Sequence, residues 1–263
     1  MKKLIILTLT LILTLALAVI PASAETNPDP SVTVTVSVGG NLKLTAVSVP
    51  LTDCDGDNTL TVNDALIEAH ILHAPGGESA YGYADTEYGR SLTKLWGDES
   101  GAYGYCVNNA SAMSLLDPVK AGDIVTAYVY KDQTAWSDAY SYFNISAKTF
   151  EDSGSLTLTL SYNTLDENWQ TVTNPLEGAF ITVDGTRTEI ITDKDGKATL
   201  SVKSPGTYVI SAECDSMTLV PPVCVVTVNA KPMNPLIIVI LVGAVVGCIS
   251  GAVINAVKKR KNA

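Results

Sequence analysis

Residues 53–64, Asp53-Cys54-Asp55-Gly56-Asp57-Asn58-Thr59-Leu60-Thr61-Val62-Asn63-Asp64, restrict this chain more than any other stretch. Four carboxylates crowd into twelve residues, and like charges this close repel one another unless a cation sits among them. Calcium is a hard cation that takes six to eight oxygens, and loop sites supply them at alternate positions and at the twelfth. Asp53, Asp55, Asp57, Thr59 through its backbone carbonyl, Thr61 through a water, and Asp64 fall in that register. Asn58 stands where such a loop turns sharply, and Asn tolerates positive φ better than most residues. The residues therefore point to calcium as a cofactor, with an acidic surface turn as the bland alternative.

The same stretch starts a helix. Thr61-Val62-Asn63-Asp64 has the spacing of a capping box, and Leu66, Ala69 and Leu72 follow at helical period as far as His73. Residues 32–38 alternate Val with Thr or Ser, Gly39-Gly40 turns the chain, and residues 41–49 return, so a β-hairpin is expected to lead into the loop. The twelfth position is Asp rather than Glu, a shorter arm. In this the loop resembles the dockerin type of EF-hand, with one loop where dockerins carry two. An affinity of about 10⁻⁴–10⁻³ M, that of extracellular modules, is expected.

Both ends carry targeting signals. Lys2-Lys3, an apolar run over residues 4–20 and Ala22-Ser23-Ala24 read as a secretory signal peptide over residues 1–24. Residues 236–257 are mostly apolar and would span roughly 33 Å as a helix. Lys258-Lys259-Arg260-Lys261 follow as a positive-inside tail. The expectation is a single-pass protein of a bacterial cell membrane with its N-terminus outside. Gly243, Gly247 and Gly251 share one face of that span, which would suit a transmembrane homodimer. The expected division is residues 1–24 leader, 25–150 first domain, 151–230 second domain, 231–235 linker, 236–257 span and 258–263 tail.

The formal net charge is −10, from 17 Lys and Arg against 27 Asp and Glu. Six of the cations lie in the leader and tail, so the part between them is more acidic still, which argues against a nucleic-acid partner. Of five cysteines, Cys248 lies in the apolar run. Cys54, Cys106, Cys214 and Cys224 are disulfide candidates, sequence proximity favouring Cys214–Cys224 and so Cys54–Cys106. His70 and His73 are the only histidines, and three residues apart they do not complete a zinc set.

Residues 78–150 hold most of the aromatic side chains. Tyr81, Tyr83, Trp96, Tyr103, Tyr105 and Trp136 could line a ligand surface or equally form packing. Strands are expected at 103–107, 124–130 and 140–145.

Residues 60–66, Trp96, Gly104-Tyr105-Cys106-Val107-Asn108-Asn109 and Lys120-Ala121-Gly122-Asp123-Ile124-Val125 resemble the transcobalamin-like domain DUF4430. The resemblance implies an α+β, β-grasp-like first domain and makes a corrinoid an analogy for its ligand. From residue 155 the texture changes to short strands at 156–162, 179–183, 187–192, 198–202, 207–212 and 223–228, the spacing of an all-β sandwich. Pro175-Leu176-Glu177-Gly178-Ala179 and Thr192-Asp193-Lys194-Asp195-Gly196 resemble Ig-like or prealbumin-like stalk modules, the latter read as a hairpin turn. The fold class expected is thus α+β plus β-sandwich with one C-terminal transmembrane helix.

A Ser-His-Asp or Cys-His centre needs a free histidine, and both histidines lie on one short helix. The expectation is a non-catalytic, calcium-stabilised adhesion or binding protein with an unknown extracellular ligand. Capture of a small corrinoid-like ligand is the alternative.

Overall fold

The computed structural model describes residues 30–168 and 170–231. Val and Thr at period 2 make β1 (Ser31–Val38), and Gly39 and Gly40, both at positive φ, return it antiparallel as β2 (Asn41–Pro50). The acidic loop then leads into α1 (Val62–His73). Next come β3 (Gly82–Thr86), β4 (Gly89–Lys94), β5 (Tyr103–Val107), β6 (Ala110–Ser111) and β7 (Ile124–Val129). The first sheet has the order β2-β1-β7-β5-β6, with β1 and β7 parallel, while β3 and β4 form a separate two-stranded ribbon.

Side-chain alternation decides what each face of that sheet meets. Val34 and Val36 of β1, and Val125, Ala127 and Val129 of β7, turn toward α1 and are essentially buried. From α1, Val62, Ala65, Leu66 and Ala69 close this core at helical spacing. Leu72 does not join them. It is 51% exposed, because His70 takes the inward place on the last turn.

The second lobe is built from β8 (Ala139–Phe143), β9 (Ala147–Phe150), β10 (Gly154–Leu165), β11 (Thr171–Pro175), β12 (Phe180–Val183), β13 (Thr186–Ile191), β14 (Lys197–Val202), β15 (Gly206–Glu213), β16 (Leu219–Val220) and β17 (Cys224–Val228). One sheet runs β11-β10-β8-β16 with β14 also on β10, and the other runs β13-β12-β15-β17-β9. Leu156, Leu158, Leu160 and Leu200 from the first meet Ile181, Ile210, Val226 and Val228 from the second in one core. β8 and β9, placed by sequence with the first domain, pair with β10, β16 and β17 instead. The turn at Asp193–Gly196 is likewise not a hairpin. It carries the chain from β13 in one sheet to β14 in the other.

The expected fold class does not hold. The described residues contain seventeen strands and a single α-helix, so the described part is mostly β rather than α+β. The reason is compositional: outside residues 62–73 the ordered segments are rich in Val, Thr and Tyr and bounded by Gly and Asn turns, which favours strands. Among the described residues no helix is long and apolar enough to cross a membrane, and α1, with 12 residues, reaches only about 18 Å. The single-pass membrane placement therefore finds no support in the fold. The leader 1–24, the span 236–257 with Gly243, Gly247 and Gly251, and the tail 258–263 lie outside the described residues.

The two lobes meet across the face of the first sheet opposite α1. Tyr128 stacks on Tyr140 with ring centroids 5.8 Å apart, Tyr130 meets Tyr128 edge-on at 5.1 Å, and Trp136 stacks on Tyr130 at 6.1 Å. Asn109 accepts a hydrogen bond from the Tyr140 hydroxyl and gives its backbone carbonyl to Asn163. Gly104 lies under Tyr128, where a Cβ would come within 2.3 Å of the ring.

Candidate metal centre

The loop between β2 and α1 is shaped by its own carboxylates. Asp53 accepts backbone N–H groups from Gly56 (2.8 Å) and Asp57 (3.2 Å) on Oδ1 and from Asn58 (2.9 Å) on Oδ2, curling the chain around it. Asp57 Oδ1 accepts the Thr59 N–H at 2.7 Å. Asn58 has φ 66°, the left-handed conformation that its position calls for. As a result Asp53, Asp55 and Asp57 present oxygens within 4.8 Å of one another, a cluster that could hold a metal ion.

Thr61 and Asp64 are drawn into a different task. Thr61 is the N-cap of α1 and Asp64 its third residue, and both halves of the capping box form. Asp64 is fully buried. Its Oδ1 accepts the Cys54 N–H at 2.8 Å, and its Oδ2 accepts the Thr61 N–H (2.9 Å) and hydroxyl (2.7 Å). So the structure gathers three of the six expected ligand residues into the cluster. Thr59 is exposed beside them, and Thr61 and Asp64 tie the loop's end to the helix.

Asp55 joins the cluster to the rest of the lobe. Its Oδ2 is paired with the Arg90 guanidinium and lies 3.3 Å from Asn63 Nδ2, while its Oδ1 is buried with no hydrogen-bond partner. A buried carboxylate oxygen without a partner costs free energy comparable to a lost charged hydrogen bond. A cation beside Asp53 and Asp57 would satisfy it. Three carboxylates against one guanidinium also leave negative charge in excess. The residues present therefore fit a hard, oxygen-seeking cation. A thiolate ligand does not fit, because burial and the neighbouring carboxylates push the Cys54 thiol up to about 11.

His70 is no ligand. It is fully buried, its Nδ1 2.6 Å from the Leu66 carbonyl and its Nε2 accepting the Trp96 N–H at 3.0 Å, which sets a neutral ring with Nδ1 protonated. Burial lowers its pKa below the ordinary 6.5. Its ring packs between Tyr81 and Trp96 at centroid distances of 4.9 and 5.0 Å. His73 is exposed at the helix end.

The disulfide candidates stay apart, and all four cysteines are free thiols. Cys54 packs on the α1 side of the first sheet, whereas Cys106 on β5 faces the lobe junction beside Tyr128 and Val220. The sheet separates them. In the second lobe Cys224 is registered against Ile210, which puts Cys214 four residues farther along, roughly 13 Å at strand rise. A disulfide needs Cα atoms within about 7 Å.

The aromatic candidates do not converge on one surface. Tyr81 is buried with its hydroxyl on Asn63 Oδ1 at 2.9 Å, and Trp96, Tyr103 and Tyr105 pack against the first core. Tyr83 is 40% exposed beneath Arg90, and Trp136 is 58% exposed at the lobe junction. Sequence reasoning missed Arg90 and the Asp55 pairing, which join residues 35 positions apart. It also missed the junction stack, although Tyr-x-Tyr at 128/130 and 140/142 is a period-2 signal that marks one face of each strand.

The geometry on its own thus assigns a three-aspartate cluster, one unpaired buried carboxylate oxygen and one arginine counter-charge. Comparisons with known protein families, with curated proteins and with solved structures find no match for this chain.

Proposed function

We propose that this protein is a non-catalytic binding module whose first lobe is stiffened by calcium held at Asp53, Asp55 and Asp57. The observation that carries the reading is the buried, partnerless Oδ1 of Asp55 inside a cluster of carboxylate oxygens. Calcium suits the site because every available donor is a hard oxygen, and Thr59 lies exposed beside the three aspartates. The ion would replace repulsion among three carboxylates with attraction and lock the loop onto the N-terminus of α1.

A binding role rather than catalysis is supported by His70, both of whose ring nitrogens are spent on internal hydrogen bonds. Exposed Tyr83 and Tyr88 on the β3–β4 ribbon offer amphipathic contact surface to a partner. Calorimetric titration of the full chain tests the reading. One calcium site per chain is expected, lost in Asp53→Ala and in Asp57→Ala. No heat at millimolar calcium would reduce the loop to an acidic turn.

Capture of a small ligand is the second reading. It is favoured by a cleft of about 380 Å³ at the lobe junction, bordered by Thr33, Asn109, Thr126 and Asn144, within the size range of ligand sites. A change in visible absorbance on mixing with cobalamin would support a corrinoid there, and none at high protein concentration would remove it.

A further inference from the structure

The ribbon of β3 and β4 makes no backbone ladder with the first sheet, and a two-stranded ribbon alone is marginally stable in water. Its order rests on side-chain anchors. At the root, Leu92 and Leu95 are buried in the first core. Near the tip the anchor is Arg90. Its Nη1 reaches Asp55 in the acidic loop, its Nε donates to Asp85 across the ribbon at 2.9 Å, and its guanidinium lies 4.4 Å from the centroid of the Tyr83 ring. Its backbone is held as well, the N–H donating to Ser114 Oγ at 3.0 Å and the carbonyl accepting the Leu115 N–H at 2.9 Å.

Residues 114–119 complete the circuit. The Val62 N–H donates to the Asp117 carbonyl, the Asn63 N–H to the Leu115 carbonyl, and the Val119 N–H to the Leu60 carbonyl. The acidic loop, the start of α1, residues 114–119 and the ribbon thus share one hydrogen-bonded frame. Only Arg90 reaches directly from the ribbon into the carboxylate cluster among the described residues.

We propose that Arg90 is the positioning residue of the cation site, and that through it cation occupancy orders the β3–β4 ribbon. The guanidinium pins Asp55 Oδ2, so the carboxylate cannot rotate and Oδ1 alone is presented to the ion. A cation on Oδ1 fixes Asp55, and fixed Asp55 holds Arg90 against Asp85 and Tyr83. Coupling of this kind is reciprocal: what steadies the ribbon also strengthens cation binding. The consequence for recognition is that the ribbon, with Tyr83 opposite Leu92 and Tyr88, 83% exposed, at its tip, is set in one conformation when the ion is bound. A planar guanidinium bridges two carboxylates as an ammonium cannot, so Lys at this position is not an equivalent. This inference rests on the calcium reading of the loop.

The test is hydrogen exchange of the full chain, with calcium and with chelator, in the native protein, Arg90→Ala and Arg90→Lys. Calorimetry in parallel shows whether each binds calcium. In the native protein calcium is expected to slow exchange of ribbon amides between residues 83 and 91 by about fivefold or more, the lower end of typical site couplings. Arg90→Ala and Arg90→Lys are expected to bind calcium more weakly, and at calcium concentrations that calorimetry shows to be saturating their ribbon amides exchange as they do in chelator, while amides of the loop and the start of α1 still slow. Calcium-dependent protection of the ribbon persisting in the arginine variants overturns the inference, as does a native ribbon indifferent to bound calcium. Absence of calcium binding by the native protein fails the loop reading instead. Should Arg90→Ala not fold, Arg90→Lys, which keeps the charge and the stem, decides the question alone.

Discussion

The two lobes bury polar groups of different kinds. The first buries Asp64, His70 and Asp123 together with Asn63, and it places a fourth ionisable group, Asp55, at the edge of its core. The second, among the described residues, buries the hydroxyls of Ser141, Thr182, Thr192 and Ser211 and the Cys224 thiol, with the Asp138 carboxylate at the entry to its first strand. Its strands alternate cleanly, as in β14 and the first half of β10, where every second residue is buried. Hydroxyls do not titrate and need one partner each, and burial pushes the Cys224 thiol up to about 11, so the sandwich interior offers a proton or a metal ion little to address. The first lobe has several such groups. The contrast teaches that the core of one lobe holds several groups that solution conditions can address, while the core of the other holds almost none.

Core deletions probe that contrast most strongly. Leu66→Ala in the first lobe and Leu158→Ala in the second each remove a fully buried side chain, and each should cost about 2–5 kcal/mol. Only the first should also weaken calcium binding, because Leu66 packs the helix that the acidic loop begins. Equal loss of calcium affinity in both, measured by calorimetry, would erase the distinction between the lobes.

Calcium itself should divide the molecule next. At about a hundred times its dissociation constant it should stabilise the first lobe by roughly 2.7 kcal/mol. Peptide-resolved hydrogen exchange should show slowed amides over residues 31–129 and unchanged amides over 154–228, and Asp57→Ala should cancel the difference. Uniform protection of both lobes would mean that they unfold as one unit.

The junction sharpens the same point. Gly104→Ala would place a methyl group against the buried Tyr128 ring and should cost about 1–3 kcal/mol through overpacking. It should loosen the contact of Tyr128 with Tyr140 while leaving calcium affinity intact. A change in tyrosine exposure without a change in titration heat is the expected pair of readings.

The smallest effect is on pH. His70 is neutral in the fold and its pKa is lowered by burial, so the unfolded chain takes up a proton near 6.5 that the folded chain refuses. Stability should be level above about pH 6.5 and fall as pH drops below it, with a slope no steeper than about 1.4 kcal/mol per pH unit for one proton. Denaturant melts in chelator between pH 7.5 and 5.5 should show this for the first lobe, and His70→Gln should flatten it. A second-lobe transition with the same slope would contradict the comparison.

Local chemistry was legible in the amino-acid order. The loop with Asn58 at positive φ, the capping box of Thr61 and Asp64, the first hairpin and most sandwich strands are set by neighbours within a few residues, through turn preference, side-chain alternation and capping. The sequence alone thereby determined where an acidic loop forms and that a helix follows it. What it left open depends on residues far apart along the chain. Only packing decided that Thr61 and Asp64 serve the helix cap, that Asp55 meets Arg90, that β8 and β9 belong to the second lobe, and that a sheet lies between Cys54 and Cys106. The physical reason is that a strand's two faces are equivalent in local preference. Which one meets a core, a partner lobe or a counter-charge is settled when distant apolar surface is buried, and that choice fixes the overall mostly-β class.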